Sequence, residues 1–152
     1  MRLAQYFEHG YDPKTLTVRQ IMEGLVFRVG PETKGISIAE AMTKRNIGAV
    51  PVVEQDSTFV GLVSEFDLLR IIDEGKDLRH VTAKEMMTRS VVTVTEEMLV
   101  KDLVKMFHEQ HLIRAPVIRG KTLVGIVSRR DAVFGYVQAI AKNLWSGKEG
   151  VG

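Results

Sequence analysis

Two stretches of the chain place a serine and an aspartate three residues apart, each directly after an apolar run. Ser64 and Asp67 lie in "GLVSEFD", and Ser128 and Asp131 lie in "GIVSRRD". At the start of a helix, a serine hydroxyl can donate to a phosphate, and an aspartate can accept two hydrogen bonds from a vicinal diol. The same pair can also serve only as a helix cap. One such pair is a weak signal of binding, whereas the repeated phrase is a strong one.

The two phrases differ between the serine and the aspartate. The second carries Arg129 and Arg130, and the first carries Glu65 and Phe66. Arginine beside a helix N-terminus favours an anion such as a phosphate, and glutamate disfavours it. The sequence therefore predicts that a phosphorylated ligand prefers the site of Asp131. The alternative is that the arginines only solvate a helix start.

The repeated phrase is part of a longer internal repeat. A shift of 65 positions moves Gln20 onto Glu85, and the shift becomes 64 after one deletion, so that Ser64 meets Ser128. Matching segments are "QIM" with "EMM", "VFRV" with "VVTV", "IAEAM" with "LVKMF", and "IGAVPVV" with "LIRAPVI". Such a register indicates two copies of one structural unit.

Each copy has the pattern of a β–α–β–β–α unit. The runs Val26–Val29 and Val91–Val94 favour short strands, and the apolar runs before each serine favour a hairpin. Helical spacing predicts two buried helix faces. They are formed by Ile38, Ala39 and Met42 in the first copy and by Leu103, Val104 and Phe107 in the second.

The predicted fold class is α+β (α/β), with two β–α–β–β–α repeats packed sheet to sheet in a pseudo-twofold arrangement. About sixty residues bury too little surface alone, so two copies should complete one core. The expected organisation is an N-terminal extension (1–16), repeat 1 (17–75), a linker (76–81), repeat 2 (82–145) and a loose tail (146–152). Tyr6 and Phe7 are expected to dock on the body.

With these motifs the sequence resembles a tandem pair of CBS domains, the modules first noted in cystathionine β-synthase. The resemblance rests on "VRQIM" and "AKEMM", on "AVPVV" and "APVI", and on the two serine–aspartate phrases. It implies binding of an adenosine-containing ligand (AMP, ADP, ATP or S-adenosylmethionine) in clefts between the repeats. It also implies a homodimer and regulation of a partner protein.

The resemblance further implies which residues form the clefts. The aspartate would hold the ribose and the serine would lie near the phosphates. The cleft of Ser128, Arg129, Arg130 and Asp131 would be framed by Ile47, Gly48 and Ala49, by Gly24, Leu25 and Val26, and by Ile113 and Arg114. The cleft of Ser64 and Asp67 would be framed by Leu112, Ile113 and Arg114 and by Arg89, Ser90 and Val91.

Composition excludes several other classes of function. The chain has 152 residues, no cysteine and a formal net charge of +2, so disulfides and thiol catalysis are excluded and a basic nucleic-acid surface is not expected. No signal peptide, membrane span, nucleophile–base pair or phosphate-binding glycine loop is recognisable. We expect a cytoplasmic protein that is not an enzyme and needs no catalytic cofactor. His108 and His111 could share a metal, but an exposed helix face is favoured.

Three functions follow, in order of preference. The first is a stand-alone sensor of an adenosine-containing ligand. The second is a constitutive dimerisation scaffold whose serine–aspartate pairs only cap helices. The third is a nucleic-acid-binding accessory domain. An apolar stripe is expected to form the helical dimer interface; it comprises Val133, Phe134, Val137, Ile140, Ala141, Leu144 and Trp145, with Leu68, Leu69, Ile71 and Ile72.

Overall fold

The computed structural model describes the backbone of residues 12–148 and the side chains of residues 12–141. Tyr6, Phe7 and the side chains of Leu144 and Trp145 lie outside that part of the chain. The helices and strands, in chain order, are α1 (Val18–Ile21), α2 (Gly35–Arg45), β1 (Ala49–Val53), β2 (Phe59–Ser64), α3 (Glu65–Asp73), α4 (Ala83–Met86), α5 (Val100–Gln110), β3 (Arg114–Arg119), β4 (Thr122–Ser128) and α6 (Arg129–Lys148).

Both predicted hairpins are confirmed. β1 and β2 pair antiparallel from Ala49 opposite Ser64 to Val53 opposite Phe59, with an irregularity at Val52 and Val53. β3 and β4 form the second two-stranded sheet. The turn of the first hairpin includes Ser57 with φ +70, and that of the second includes Gly120 with φ +64. Alternating apolar runs separated by turn residues therefore give the expected pairing.

The short strand predicted at the front of each repeat is reduced to a single bridge. Val29 makes a single parallel bridge with Val52, and Val94 makes one with Val117. The Val29 amide donates to the Pro51 carbonyl at 3.0 Å, and the Val29 carbonyl accepts from Val53 at 2.9 Å. In the first repeat the next residues are Gly30 and Pro31, and a proline has no N–H to continue the ladder.

Contacts divide the described chain into two units that cut across the repeats. The Asp67 unit comprises residues 25–92 and 120–123. The Asp131 unit takes the rest of the described chain, residues 12–24, 93–119 and 124–148. The start of repeat 1 (α1) therefore belongs to the unit that holds Asp131, and the start of repeat 2 (α4) belongs to the unit that holds Asp67.

Each unit has its own apolar core. The helix α1 contributes to the core of the Asp131 unit and α4 to that of the Asp67 unit; we call these two the exchanged helices. In the Asp131 unit, Ile21 of α1 is fully buried with Leu103 and Val127. In the Asp67 unit, Met86 of α4 is fully buried with Val50. Full burial of an aliphatic side chain contributes about 1.5–3 kcal/mol, so each exchanged helix is fixed chiefly by its buried residue.

The helix faces follow the predicted spacing with one exception. Ile38 and Met42 of α2 and Leu103 and Phe107 of α5 are buried as predicted. Val104 is 43% exposed, so its assignment to the buried face is wrong. The buried stripe of α5 starts at Val100 and runs through Leu103 to Phe107, and the next residue along the helix from Leu103 is turned about 100° away from it.

Among the predicted interface residues, Leu68 and Ile71 are instead buried in the core of the Asp67 unit. Within residues 12–148, no helix is both long and apolar enough to cross a membrane.

Candidate ligand site at the serine–aspartate helix starts

Both serine–aspartate pairs form closed capping boxes at the start of a helix. In α3, Oδ2 of Asp67 accepts from the Ser64 amide at 2.8 Å and from the Ser64 hydroxyl at 3.0 Å. In α6, Oδ2 of Asp131 accepts from the Ser128 amide at 2.9 Å and from its hydroxyl at 3.0 Å. Each serine oxygen in turn accepts from the aspartate's amide, at 3.3 and 3.2 Å. The capping role is therefore real at both positions.

The second carboxylate oxygen of Asp67 is also occupied. Oδ1 accepts from the hydroxyl of Thr88 at 3.0 Å, and Nη2 of Arg70 lies 3.9 Å away. The same Arg70 nitrogen donates to the Met86 carbonyl at 3.1 Å. Asp67 is only 4% exposed. A carboxylate has about four acceptor positions, and three hydrogen bonds occupy most of those of Asp67.

Asp131 has the same cap but a different neighbour. It is half-buried rather than buried. Glu23 stands where Thr88 stands in the other unit, because Glu23 and Ile126 exchange backbone hydrogen bonds of 2.9 and 3.0 Å, as Thr88 and Leu62 do at 2.9 and 3.0 Å. The two serine–aspartate sites thus share a backbone frame and differ in the residue at the position of Thr88.

The glycine of each phrase is required by a close backbone approach, as the sequence indicates. A Cβ on Gly61 would lie 2.5 Å from Sδ of Met87 and 3.1 Å from the Thr88 carbonyl oxygen. A Cβ on Gly125 would lie 2.8 Å from both the Glu23 carbonyl oxygen and Sδ of Met22. The glycines therefore admit the exchanged start of the other repeat against each hairpin.

The segments before the proline-containing strands lie beside the capping boxes of their own repeat. The Glu65 amide donates to the Gly48 carbonyl at 3.1 Å, and Ala49 pairs with Ser64. The Arg129 amide donates to the Ile113 carbonyl at 2.9 Å. The structure thus brings Ile47–Ala49 next to Ser64 and Asp67, and 112–114 next to Ser128 and Asp131.

The two arginines of the second phrase are exposed at the first turn of α6. Nε of Arg129 donates to the Leu112 carbonyl at 2.6 Å, which leaves the other guanidinium N–H groups for further partners. Arg129 also borders a cavity of about 270 Å³ with His108, His111 and Val133. Arg130 borders a neighbouring depression with Phe134.

The other predicted site residues are exposed or half-buried. Leu25 is 95% exposed, and a Cβ on Gly24 would have no atom within 4 Å. Val26 is half-buried, and its carbonyl accepts from Nε of Arg28 at 3.4 Å. Of the residues predicted to frame the cleft of Ser64 and Asp67, Arg89 and Ser90 are exposed. Gly24 belongs to the Asp131 unit, whereas the next two residues belong to the Asp67 unit.

No group of three or more metal-ligating side chains converges anywhere in the described residues. His108 and His111 border the same cavity, but no third ligand from that part of the chain joins them.

Thr88 is the main site residue that the sequence analysis missed. Its partner Asp67 is 21 residues away. The repeat alignment contains the signal, because the 65-position shift sets Thr88 against Glu23 beside two otherwise matching methionines. A hydroxyl in one copy and a carboxylate in the other mark a place where the two sites differ.

Comparison with known proteins agrees with these features. The family model described as "CBS domain" matches residues 18–74 and 83–136, which is most of the chain. The chain belongs to the CBS domain family. It is 29% identical over 137 residues to Hypoxic response protein 1 of Mycobacterium tuberculosis, covering 84% of this chain and 96% of that protein.

An uncharacterized protein of Methanopyrus kandleri is 30% identical over 121 residues. The match covers 78% of this chain, and the chain spans only 61% of that relative. Among solved structures, the chain is similar to CBSX2 in complex with AMP, with a TM-score of 0.72 and 25% identity. That match covers 81% of this chain and 97% of CBSX2. The chain therefore has the mixed helix and strand fold of CBS domain pairs.

Proposed function

We propose that this protein is a regulatory module that binds an adenosine-containing ligand at the Ser128–Asp131 site. The structural neighbour CBSX2 was solved in complex with AMP, which supports this class of ligand. The observation that carries the choice of site is the contrast between the two aspartates. Asp67 is only 4% exposed, whereas Asp131 is half-buried at the start of a long helix.

In the proposed complex, the ribose hydroxyls donate to the carboxylate of Asp131. Its cap uses Oδ2 for two hydrogen bonds, and the residue is half-buried, so a ribose can approach the capped carboxylate. Ile113 is 52% exposed beside the cap and offers an apolar surface to the adenine ring.

The phosphates in this proposal lie at the N-terminus of α6. The free N–H groups and the positive end of the helix dipole favour anions there. Arg129 and Arg130 are exposed in the same turn and supply guanidinium donors. At the corresponding turn of α3, Glu65 is exposed, which disfavours a phosphate. These charges favour AMP, ADP or ATP over an uncharged nucleoside.

A consequence for regulation follows from the surface of α6. Val133, Phe134 and Val137 are 64%, 44% and 52% exposed, all within the first nine residues of this helix. Since a contiguous apolar patch on a helix is a common association surface, we propose that it contacts a second copy or a regulated protein. A ligand at the start of α6 can shift that equilibrium only to the extent that it binds the two states differently.

The alternative function is a constitutive scaffold. It is favoured by the formation of both capping boxes, since caps alone explain the serine–aspartate pairs. No catalytic step is assigned to either function.

A thermal-shift series with AMP, ADP, ATP and S-adenosylmethionine separates the two. A ligand present at 100 times its Kd adds about 2.7 kcal/mol to the free energy of unfolding, which raises Tm clearly. The sensor requires such a rise with at least one compound. An unchanged Tm with all four compounds contradicts it and leaves the scaffold.

A further inference from the structure

The Asp131 unit contains an ion cluster in which one buried carboxylate contacts two guanidinium groups. Glu96 is 5% exposed, and its Oε1 accepts from Nε and Nη2 of Arg119 at 3.0 and 2.9 Å. Its Oε2 lies 3.3 Å from Nε of Arg19. Burial alone would raise the pKa of Glu96, but the hydrogen bonds from Arg119 and Arg19 outweigh it and hold the pKa below 4.5. The carboxylate is therefore ionised and held by two guanidinium groups.

The same backbone frame recurs in the Asp67 unit with different side chains. The Arg19 amide donates to the Glu96 carbonyl at 3.0 Å, and the Lys84 amide donates to the Pro31 carbonyl at 2.9 Å. The preceding bridges also match, since Val94 pairs with Val117 as Val29 pairs with Val52. Lys84 therefore replaces Arg19, and Pro31 replaces Glu96. A proline supplies no carboxylate, so the cation has lost its internal partner.

The Asp67 unit has an open cavity of about 1180 Å³ at this place. Its lining includes three basic residues, Arg28, Lys84 and Arg89, and the acidic residues Glu32 and Glu54. Among the described residues, no carboxylate lies within ion-pair distance of Lys84 or Arg89. Neither Ser64 nor Asp67 borders the cavity, so it is separate from the helix-capping site.

We propose that this cavity binds a small molecule whose oxyanion pairs with Lys84, the cation that lacks the internal carboxylate partner its counterpart has in the other unit. Lys84 is the cation at the matching position, and Arg28 and Arg89 also line the cavity. The oxyanion is a phosphate or a carboxylate, since both accept from ammonium and guanidinium donors.

The acidic residues that line the cavity set a second requirement for the ligand. Glu54 follows Val53 as Arg119 follows Ile118, so a carboxylate stands where the other unit has a guanidinium. Glu54 and Glu32 are exposed and accept hydrogen bonds from an amino or hydroxyl group. The ligand thus carries an oxyanion at one end and a donor group at the other.

The experiment titrates the full-length protein with phosphoethanolamine and with β-alanine at constant ionic strength. Both molecules join an ammonium to an oxyanion, so the tighter one identifies phosphate or carboxylate. Amide chemical shifts are followed by NMR in an Arg129→Ala, Arg130→Ala background, which removes the guanidinium donors of the other site. We expect changes centred on residues 28–33 and 84–89. If neither probe moves the amides of these segments, the proposal is wrong.

Three variants locate the binding. Lys84→Glu should weaken the preferred probe about tenfold or more, because it removes a charge-assisted contact. Pro31→Glu, which restores the internal carboxylate, should abolish binding. Glu54→Arg should weaken phosphoethanolamine and strengthen inorganic phosphate. Lys101→Glu on α5 is the matched control and should leave affinity unchanged. Equal affinities for the wild type and Lys84→Glu would overturn the proposal.

Discussion

The hydroxyl of Thr88 donates a 3.0 Å hydrogen bond to Oδ1 of Asp67, and so ties the start of the second repeat to the aspartate of the first. The other oxygen of that carboxylate holds the helix cap. In the second copy, Glu23 replaces Thr88 in the same backbone frame. Two aspartates with the same cap therefore stand in different surroundings.

Replacement of Thr88 by valine removes this hydrogen bond and leaves a buried carboxylate oxygen with one donor fewer. We expect Thr88→Val to lower the free energy of unfolding by about 1–2 kcal/mol, measured by urea denaturation. Thr43→Val is the control, because the Thr43 hydroxyl donates to Ala39 on an exposed helix face. It should change stability by less than about 0.5 kcal/mol. Equal losses from the two variants would show that the Asp67 contact contributes nothing special.

Alanine at the two signature glycines tests the exchange of repeat starts. Gly125→Ala should cost about 1–3 kcal/mol, because its Cβ would meet the Glu23 carbonyl oxygen at 2.8 Å and backbone must move. Gly61→Ala should cost less, since its closest contact is the flexible side chain of Met87. Gly24→Ala has open space and serves as the control. A Gly125 variant as stable as the Gly24 variant would contradict the close approach.

The ion cluster of Glu96 predicts a pH dependence of stability. The pKa of Glu96 is lowered in the folded state, so its contribution is present above about 4.5 and is lost as pH falls through the lowered folded-state pKa. Glu96→Gln should destabilise by about 1–3 kcal/mol at pH 7 and flatten the loss of stability below pH 4.5.

Denaturation at a series of pH values compares this variant with Glu97→Gln. Glu97 is exposed and contacts only Arg19 in the described chain, at 3.2 Å. Its replacement should leave the acid profile unchanged. An unaltered acid profile in the Glu96 variant would refute the assignment.

The apolar surface of α6 predicts self-association. Phe134→Glu and Val137→Glu place charges in the proposed interface, so the double variant should be a monomer at concentrations where the wild type is a dimer. Light scattering at micromolar concentration measures the difference, with Lys101→Glu on α5 as the control. A monomeric wild type would remove α6 as a self-association surface.

The local structure could be predicted from the sequence because it depends on spacing and on turn residues. Ile38 and Met42 are buried at the positions that helical periodicity requires. The extent of the first strand of each repeat could not be predicted. Val29 and Val94 have strand-like neighbours, but each forms only one bridge, and β-rich composition does not tell how far a ladder extends.

The difference between the two candidate sites depends on contacts far apart in sequence. Repetition of the serine–aspartate phrase predicts both capping boxes, since a cap is made within four residues. The contact of Thr88 with Asp67 requires that the start of one repeat pack on the hairpin of the other. The arginines predict a difference in charge between the two sites, whereas the burial of Asp67 could only be seen in the structure.

Calorimetry of AMP binding to Asp131→Asn and Asp67→Asn tests the central proposal most directly. Asparagine retains an acceptor for the helix cap but loses the charge, so both variants should stay folded. We expect Asp131→Asn to weaken AMP binding about tenfold to a hundredfold, as befits loss of charge-assisted hydrogen bonds, and Asp67→Asn to leave it nearly unchanged. Equal losses in the two variants, or a larger loss from Asp67→Asn, would contradict the account.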